Sequence, residues 1–257
     1  MAKSPRSFFW YELMTTDMTA AEAFYTAVVG WRAQAWGDDP NHKYTILSAG
    51  ENGIGGLMTL PEEARQMGAG PAWIGYIRSD DVDAQTASLV QAGGSIKRPP
   101  SDIPDVGRFA VVGDPQGAIF MLLMPNGPDK PPVPAGTAGH IGWHELYAVD
   151  WQAAFDFYAG HFGWTKGDAL DMGPMGTYQL FAAGGEPIGG MMNKPAILPS
   201  AFWLFYFNVP AIEAAAKRVT DGGGQIVMGP HQVPTGQWIL QCKDPQGAMF
   251  ALVAPER

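Results

Sequence analysis

Trp10-Tyr11-Glu12-Leu13, followed by Asp17, Phe24-Tyr25 and Gly30-Trp31, occurs a second time as Trp143-His144-Glu145-Leu146, Asp150, Phe157-Tyr158 and Gly163-Trp164. The offset is 133 throughout, and 10 of the 22 positions from Trp10 to Trp31 are identical to their counterparts. The closing stretch repeats as well. Asp114-Pro-Gln-Gly-Ala-Ile-Phe-Met-Leu-Leu-Met-Pro125 matches Asp244-Pro-Gln-Gly-Ala-Met-Phe-Ala-Leu-Val-Ala-Pro255 at 8 of 12 positions, offset 130. A unit of about 125 residues is too long for a solenoid repeat and the right size for a small domain.

The bulk composition narrows the function classes. The 257 residues carry a formal net charge of −9 with 16% charged and 46% hydrophobic residues. An acidic chain is a poor partner for nucleic acid or an anionic membrane. A single cysteine, Cys242, excludes a disulfide within the chain. It falls in a strand-like run with no histidine or cysteine at ligand spacing, so it reads as a small packing residue. The apolar run at Phe8–Tyr11 meets Glu12 at once, so a secretory leader is not expected. No apolar run approaches spanning length, and the cytoplasm is the expected compartment.

Along the chain, Phe8–Met14 reads as a strand. Thr19 and Glu22 have the spacing of a capping box, and Phe24, Tyr25 and Val28 give the following helix one apolar face. Gly30 ends it. Strands are expected from Trp31, over Lys43–Ser48 and over Gly53–Met58, then a loop at 61–71. The second module repeats the order: a strand at Trp73–Ile77, a helix over 83–92, and strands at 95–98, 108–112 and 118–124. Asp114-Pro-Gln-Gly is a type I turn. The second half gives the same order, with helices near 151–162 and 211–221. Between the halves, 126–139 is a linker stiffened by prolines. The division is therefore 6–125, 126–139 and 140–257.

Four βαβββ modules, the FYxxxxGW helix end and the DPxGxxF hairpin together resemble the vicinal oxygen chelate superfamily. That group takes in glyoxalase I, bleomycin-resistance proteins and extradiol dioxygenases. The WxEL…D…FYxxxxGW form is most similar to a two-domain glyoxalase-like subgroup. The resemblance implies an α+β fold of two tandem domains, each a pair of modules forming a half-open eight-stranded barrel around a cup. It also implies metal-ligand positions, which fall here on Trp10, Trp73 and Met121, and on Trp143, Trp203 and Ala251. The fourth position lies in Gly53–Met58 or Pro187–Met192, which hold no His, Asp or Glu. Trp, Met and Ala do not replace imidazole, carboxylate or thiolate. No metal and no other cofactor is expected.

Strand alternation sends Trp10, Glu12 and Met14 to the cup, with Tyr11 and Leu13 toward the helix. By the same reading Trp143, Glu145 and Tyr147 face the second cup. Trp73 with Gly75 and Ile77, and Trp203 with Phe205 and Phe207, are expected to line the cups, and Met121 is expected among the ligand-binding residues of the first. Ala251 in place of Met121 is expected to leave the second cup roomier. Glu12 and Glu145 are the candidate general bases, since burial among aromatics raises a carboxylate's pKa toward neutrality, or else acceptors for a ligand's hydroxyl, amine or cation. A structural carboxylate is the alternative. His144 and Glu145 are adjacent on a strand and make a poor chelating pair. His140, His161 and His231 read as surface or packing residues, and Arg108 as an edge charge able to meet an anion. No GxGxxG opens a helix after a strand, and no P-loop is present, so nucleotide binding is not expected. The expected function is binding of a small hydrophobic or aromatic molecule, with no metal. The alternative is an enzyme, a lyase or isomerase using Glu12 or Glu145 as base, or a glyoxalase- or dioxygenase-like catalyst with different metal ligands. A monomer or homodimer serves either reading.

Overall fold

The computed structural model describes residues 6–37, 43–128 and 131–257. The first half runs β1 (Phe8–Thr15), α1 (Met18–Val29), β2 (Arg32–Trp36), β3 (Tyr44–Ala49) and β4 (Asn52–Thr59), a short α2 (Glu62–Gln66), then β5 (Ala72–Arg78), α3 (Val82–Gln91), β6 (Ser95–Ile103), β7 (Gly107–Gly113) and β8 (Ile119–Pro125). The second half runs β9 (Ile141–Ala148), α4 (Trp151–Phe162), β10 (Thr165–Asp171), β11 (Thr177–Ala182), β12 (Pro187–Asn193), β13 (Phe202–Asn208), α5 (Ile212–Asp221), β14 (Gln225–Gln232), β15 (Trp238–Lys243) and β16 (Met249–Ala254). These are the expected modules. The stretch 61–71, expected as a loop, contains α2.

Each half builds one eight-stranded mixed sheet, in the orders β2-β3-β4-β1-β5-β8-β7-β6 and β10-β11-β12-β9-β13-β16-β15-β14. The order is linear, so neither sheet is a closed barrel. β1 pairs with β4, and β5 with β8, in parallel; the outer pairs are antiparallel.

The cap of α1 differs from the capping box expected at Thr19 and Glu22. Asp17 is the N-cap of α1, its Oδ1 accepting from Ala20 N–H at 3.0 Å. Asp150 caps α4 in the same way, accepting from Gln152 and Ala153. A short carboxylate in extended backbone reaches the first free N–H groups better than Thr19, which lies inside the first turn. Gly30 and Gly163 end these helices in the left-handed region, at φ 87° and 72°.

The packed cores do not follow the divide at 126–139. One compact unit takes the chain up to Phe9, Gly75–Pro132 and His144–Trp203; the other takes Trp10–Ile74, Val133–Trp143 and Leu204–Arg257. Each combines a module of the first half with one of the second. The first contains α3 and α4, the second α1 and α5.

Candidate binding site

In the α1/α5 unit, Trp73 Nε1 donates to Tyr25 Oη at 2.8 Å, and Tyr25 donates in turn to Asp244 Oδ2 at 3.1 Å. In the α3/α4 unit, Trp203 Nε1 donates to Tyr158 Oη at 2.9 Å, and Tyr158 donates to Asp114 Oδ2 at 3.1 Å. The other oxygen of each Asp closes its own DPQG turn, accepting from Gln246 and Ala248, or from Gln116 and Ala118. The FY motif of one half is thus hydrogen-bonded to the DPQG motif of the other. Burial, before any other cause, holds both phenols well above their usual pKa, so the proton stays on tyrosine. The same desolvation raises both carboxyls, and their N–H and phenol donors only partly offset it.

These relays correct the expected walls. Trp73 sits among Tyr25, Trp31 and Phe207, and Trp203 among Phe8, Tyr158, Trp164 and Phe181. Phe205 meets Tyr11 edge-on at 5.1 Å. All three belong to helix-side cores rather than to the opposite face. A buried indole needs an acceptor for its N–H, and the tyrosines of α1 and α4 supply it. The register agrees. Met121 stands beside Tyr76, and Ala251 beside Tyr206, so the even-numbered residues of β5 and β13 share their face.

The face carrying Glu12 holds a third relay. Trp10 Nε1 donates to Tyr44 Oη at 3.1 Å, and Tyr44 donates to Glu12 Oε2 at 3.0 Å. Glu12 is 4% exposed, whereas Trp10 and Met14 on the same face are half-buried. Burial first, then the Glu12 charge, pushes the Tyr44 phenol far up, so it donates its proton to Glu12 and does not act as a phenolate. Gly56 makes the arrangement possible. It pairs with Glu12, and an added Cβ there would lie 1.7 Å from Tyr44 Oη.

The second half repeats the elements. Glu145 is buried and pairs with Gly190, over which Tyr178 lies; a Cβ at Gly190 would come within 2.2 Å of that ring. Tyr147 stacks on Phe202 at 5.2 Å, and Trp143 is half-buried. Tyr44 and Tyr178 were absent from the expected site residues. Their signal lay in the repeat, at an offset of 134, with Tyr44 first in β3 and Tyr178 second in β11.

Gly56→Ala is expected to push the Tyr44 hydroxyl off Glu12. A buried carboxylate that loses a charge-assisted hydrogen bond is destabilised by about 1.5–3 kcal/mol. A urea midpoint unchanged by Gly56→Ala, with Tyr44 fluorescence also unchanged, would contradict this.

The remaining candidates take structural places. Arg108 pairs with Asp83 and Asp102 at the surface. Cys242 is fully buried, and burial pushes its thiol up to about 12. His144 is buried, stacked on Phe8, with Nδ1–H donating to the Ile188 carbonyl at 2.7 Å. His161 meets Ser88 Oγ through Nδ1. An open groove of about 440 Å³ in the α3/α4 unit is lined by Ala92, Pro115, Gln116, Phe157 and His161 among others. His161 borders it, but neither Glu12, Glu145 nor any expected wall residue does.

The metal implied by the resemblance does not fit these side chains. Among the described residues no three His, Cys, Asp or Glu stand close enough together to hold an ion. The implied ligand positions hold indoles, a thioether and a methyl group, and Glu12 is engaged by Tyr44.

The comparisons with known proteins agree with the architecture. The family profile of the Glyoxalase/Bleomycin resistance protein/Dioxygenase superfamily matches residues 7–122 and again 138–252. The Mycobacterium tuberculosis protein named "Putative glyoxylase CFP32" is 31% identical over 250 residues, covering 96% of this chain and 94% of its own. The Streptomyces peucetius "Anthracycline biosynthesis protein DnrV" is 30% identical over 257 residues, covering 95% and 91%. Among solved structures, the Mn(II)-bound glyoxalase from Novosphingobium aromaticivorans superposes with a TM-score of 0.66 at 17% identity, over 98% of this chain and 83% of that one. Two matched domains and a relative at 31% identity over nearly the whole chain establish the relationship: this protein belongs to the glyoxalase/bleomycin resistance protein/dioxygenase superfamily.

Proposed function

We propose that this protein binds a small hydrophobic or aromatic organic molecule at the faces that carry Glu12 and Glu145, without a metal ion. The observation that carries the reading is the Trp10–Tyr44–Glu12 chain over Gly56. It sets a buried carboxylate beside half-buried aromatic and thioether surface, and the missing side chain of Gly56 leaves Tyr44 the room to reach Glu12. Apolar walls with a few fixed polar groups are the usual make-up of a small-molecule site. Trp10 and Met14 supply the wall in the first half, and Trp143 and Tyr147 in the second. Glu12 and Glu145 accept from a ligand hydroxyl or amine. Two Streptomyces relatives are named for anthracycline biosynthesis, which makes a planar polycyclic aromatic the natural first probe. No helix among the described residues is long and apolar enough to cross a membrane. A cytoplasmic monomer or homodimer remains part of the proposal.

A second reading is metal-free acid–base catalysis. It is favoured by the Tyr44–Glu12 pair, in which the phenol keeps its proton and the carboxylate holds the acceptor role. An isomerase or lyase step would take a substrate proton onto Glu12, with Tyr44 stabilising the charge before transfer.

Quenching of tryptophan fluorescence by an anthracycline tests both. Saturable binding is expected, weakened tenfold or more in Glu12→Gln or Glu145→Gln, the loss that follows from one hydrogen bond to a charged group. Equal affinity in the wild type and both variants would defeat the proposal. Chemical conversion of a bound probe that stops in Glu12→Gln while affinity holds would select the catalytic reading.

A further inference from the structure

The strands of the second half carry, within the α1/α5 unit, a polar strip that the first half lacks. Tyr206 on β13, Ala251 on β16 and Gln241 on β15 stand in one row, since Tyr206 pairs with Ala251 and Ala251 with Gln241. Partners in register point to the same face. Gln241 Nε2 donates to Tyr206 Oη at 2.7 Å, so the phenol ring crosses above Ala251. The room expected from that alanine is used in this way. Two residues further along β13, on the same face, stands Asn208, in register with Val253. Asn208 is 4% exposed, and its Nδ2 has no acceptor. Its Oδ1 lies over Gly142, where an added Cβ would be 2.4 Å away, and Gly142 itself is exposed. The missing side chain of Gly142 thus leaves space beside this amide, on the side of its oxygen.

The first half is built differently at the same repeat positions. Tyr76, Arg78, Val111 and Met121 stand where the second half has Tyr206, Asn208, Gln241 and Ala251, and Phe9 stands where it has Gly142. Val111 and Tyr76 flank Met121, and the Arg78 guanidinium lies 6.0 Å over the Phe9 ring. Side-chain bulk and a cation there are replaced by two amides, a methyl group and a glycine.

A buried N–H without an acceptor is costly and rare in native proteins. Asn208 Nδ2 thus calls for an acceptor from outside the chain. We infer that this face binds an uncharged aromatic ketone, its carbonyl oxygen accepting from Asn208 Nδ2 and its ring lying along Tyr206. The inference rests on the small-molecule reading above and specifies its ligand class. A neutral ligand follows from the replacement of Arg78 by an amide, since a buried anion needs a compensating charge. An aromatic one follows from the buried phenol ring of Tyr206 and from Trp143, half-buried and next in sequence to the Gly142 that lies against Asn208.

Calorimetry with 9-fluorenone and fluorene, which share a skeleton and differ by the carbonyl, tests it. The wild type is expected to bind fluorenone about tenfold more tightly, the value of one neutral hydrogen bond in a buried site. Asn208→Leu should erase the difference and leave fluorene affinity within about twofold. Asn208→Asp, alike in shape but without the donor, should do the same and guards against a folding defect in the leucine variant. Equal binding of the two probes by wild type would overturn the inference and leave the small-molecule reading intact. If neither probe binds while the anthracycline does so in a Glu12-dependent way, the inference alone falls. If nothing binds, both fall.

Discussion

Asp244→Ala is expected to lower stability by about 3 kcal/mol or more, read as a fall in the urea midpoint. One carboxylate carries three jobs in the α1/α5 unit. Oδ1 accepts from Gln246 N–H at 3.0 Å and Ala248 N–H at 2.8 Å, and Oδ2 accepts from Tyr25. Alanine leaves two turn N–H groups and a buried phenol without that acceptor, and each such loss costs about 1–3 kcal/mol when water cannot replace it. Asp244→Asn should cost less, because its Oδ1 still closes the turn and the desolvated charge is gone. Tyr25→Phe should fall between them, since it also strips the acceptor from Trp73 Nε1. Asp114→Ala and Tyr158→Phe should repeat the series in the α3/α4 unit.

The same network makes a sharper expectation about coupling. Tyr25→Phe combined with Asp244→Ala should cost less than the two losses added, by about 1–2 kcal/mol, because both remove one hydrogen bond. Tyr25→Phe combined with Asp114→Ala should add, because those residues serve different relays. If the two motifs of each half acted together within that half, Tyr25 would couple to Asp114 instead. An Asp244→Ala protein within about 0.5 kcal/mol of wild type, the range of an ordinary surface substitution, would show the relay to be dispensable.

The repeat makes the fold legible because a duplicated motif marks the same structural place twice. Element order, helix ends at Gly30 and Gly163, and the hairpins all follow from local chemistry. Two things do not. One is the facing of β5 and β13. Both are buried on each side, so alternation has no polar member to fix its phase, and Trp73 and Trp203 are as suited to a cup wall as to a core. Only the hydroxyls of Tyr25 and Tyr158 decide it, and those are distant in sequence. The other is the crosswise pairing of Tyr25 with Asp244 and of Tyr158 with Asp114. A repeat says that both motifs recur but not which copy meets which. At the candidate site, Glu12 was readable as a carboxylate in an aromatic strand. Tyr44 and Gly56 act on it only through register, β3 against β4 and β4 against β1.

His144 carries the second large effect, and it is one of pH. Tyr11 holds its place in the first half, buried and meeting Phe205 edge-on, so the position is a packing one in both. At 144 the ring is stacked on Phe8 at 5.0 Å and donates from Nδ1 to a carbonyl, which requires only the neutral form. Desolvation lowers its pKa from 6.5 to about 4, more than the Ile188 carbonyl restores. Below pH 6.5 the unfolded chain takes up a proton that the folded chain refuses until about pH 4. The stability from the neutral, buried ring is therefore present above 6.5 and is lost progressively as pH falls to about 4. At about 1.4 kcal/mol per tenfold, the loss across that window approaches roughly 3 kcal/mol. Asp114 and Asp244, with raised pKa values, act in the opposite sense at the acid end, favouring the folded state as they protonate. They are common to wild type and a His144→Gln variant and cancel in the difference. The gap in urea midpoint between the two proteins should thus be widest at pH 7.5 and narrow steadily toward pH 4.5. A gap that stays constant over this range would mean that the ring titrates alike in the folded and unfolded chain, and hence that it is not held neutral by burial.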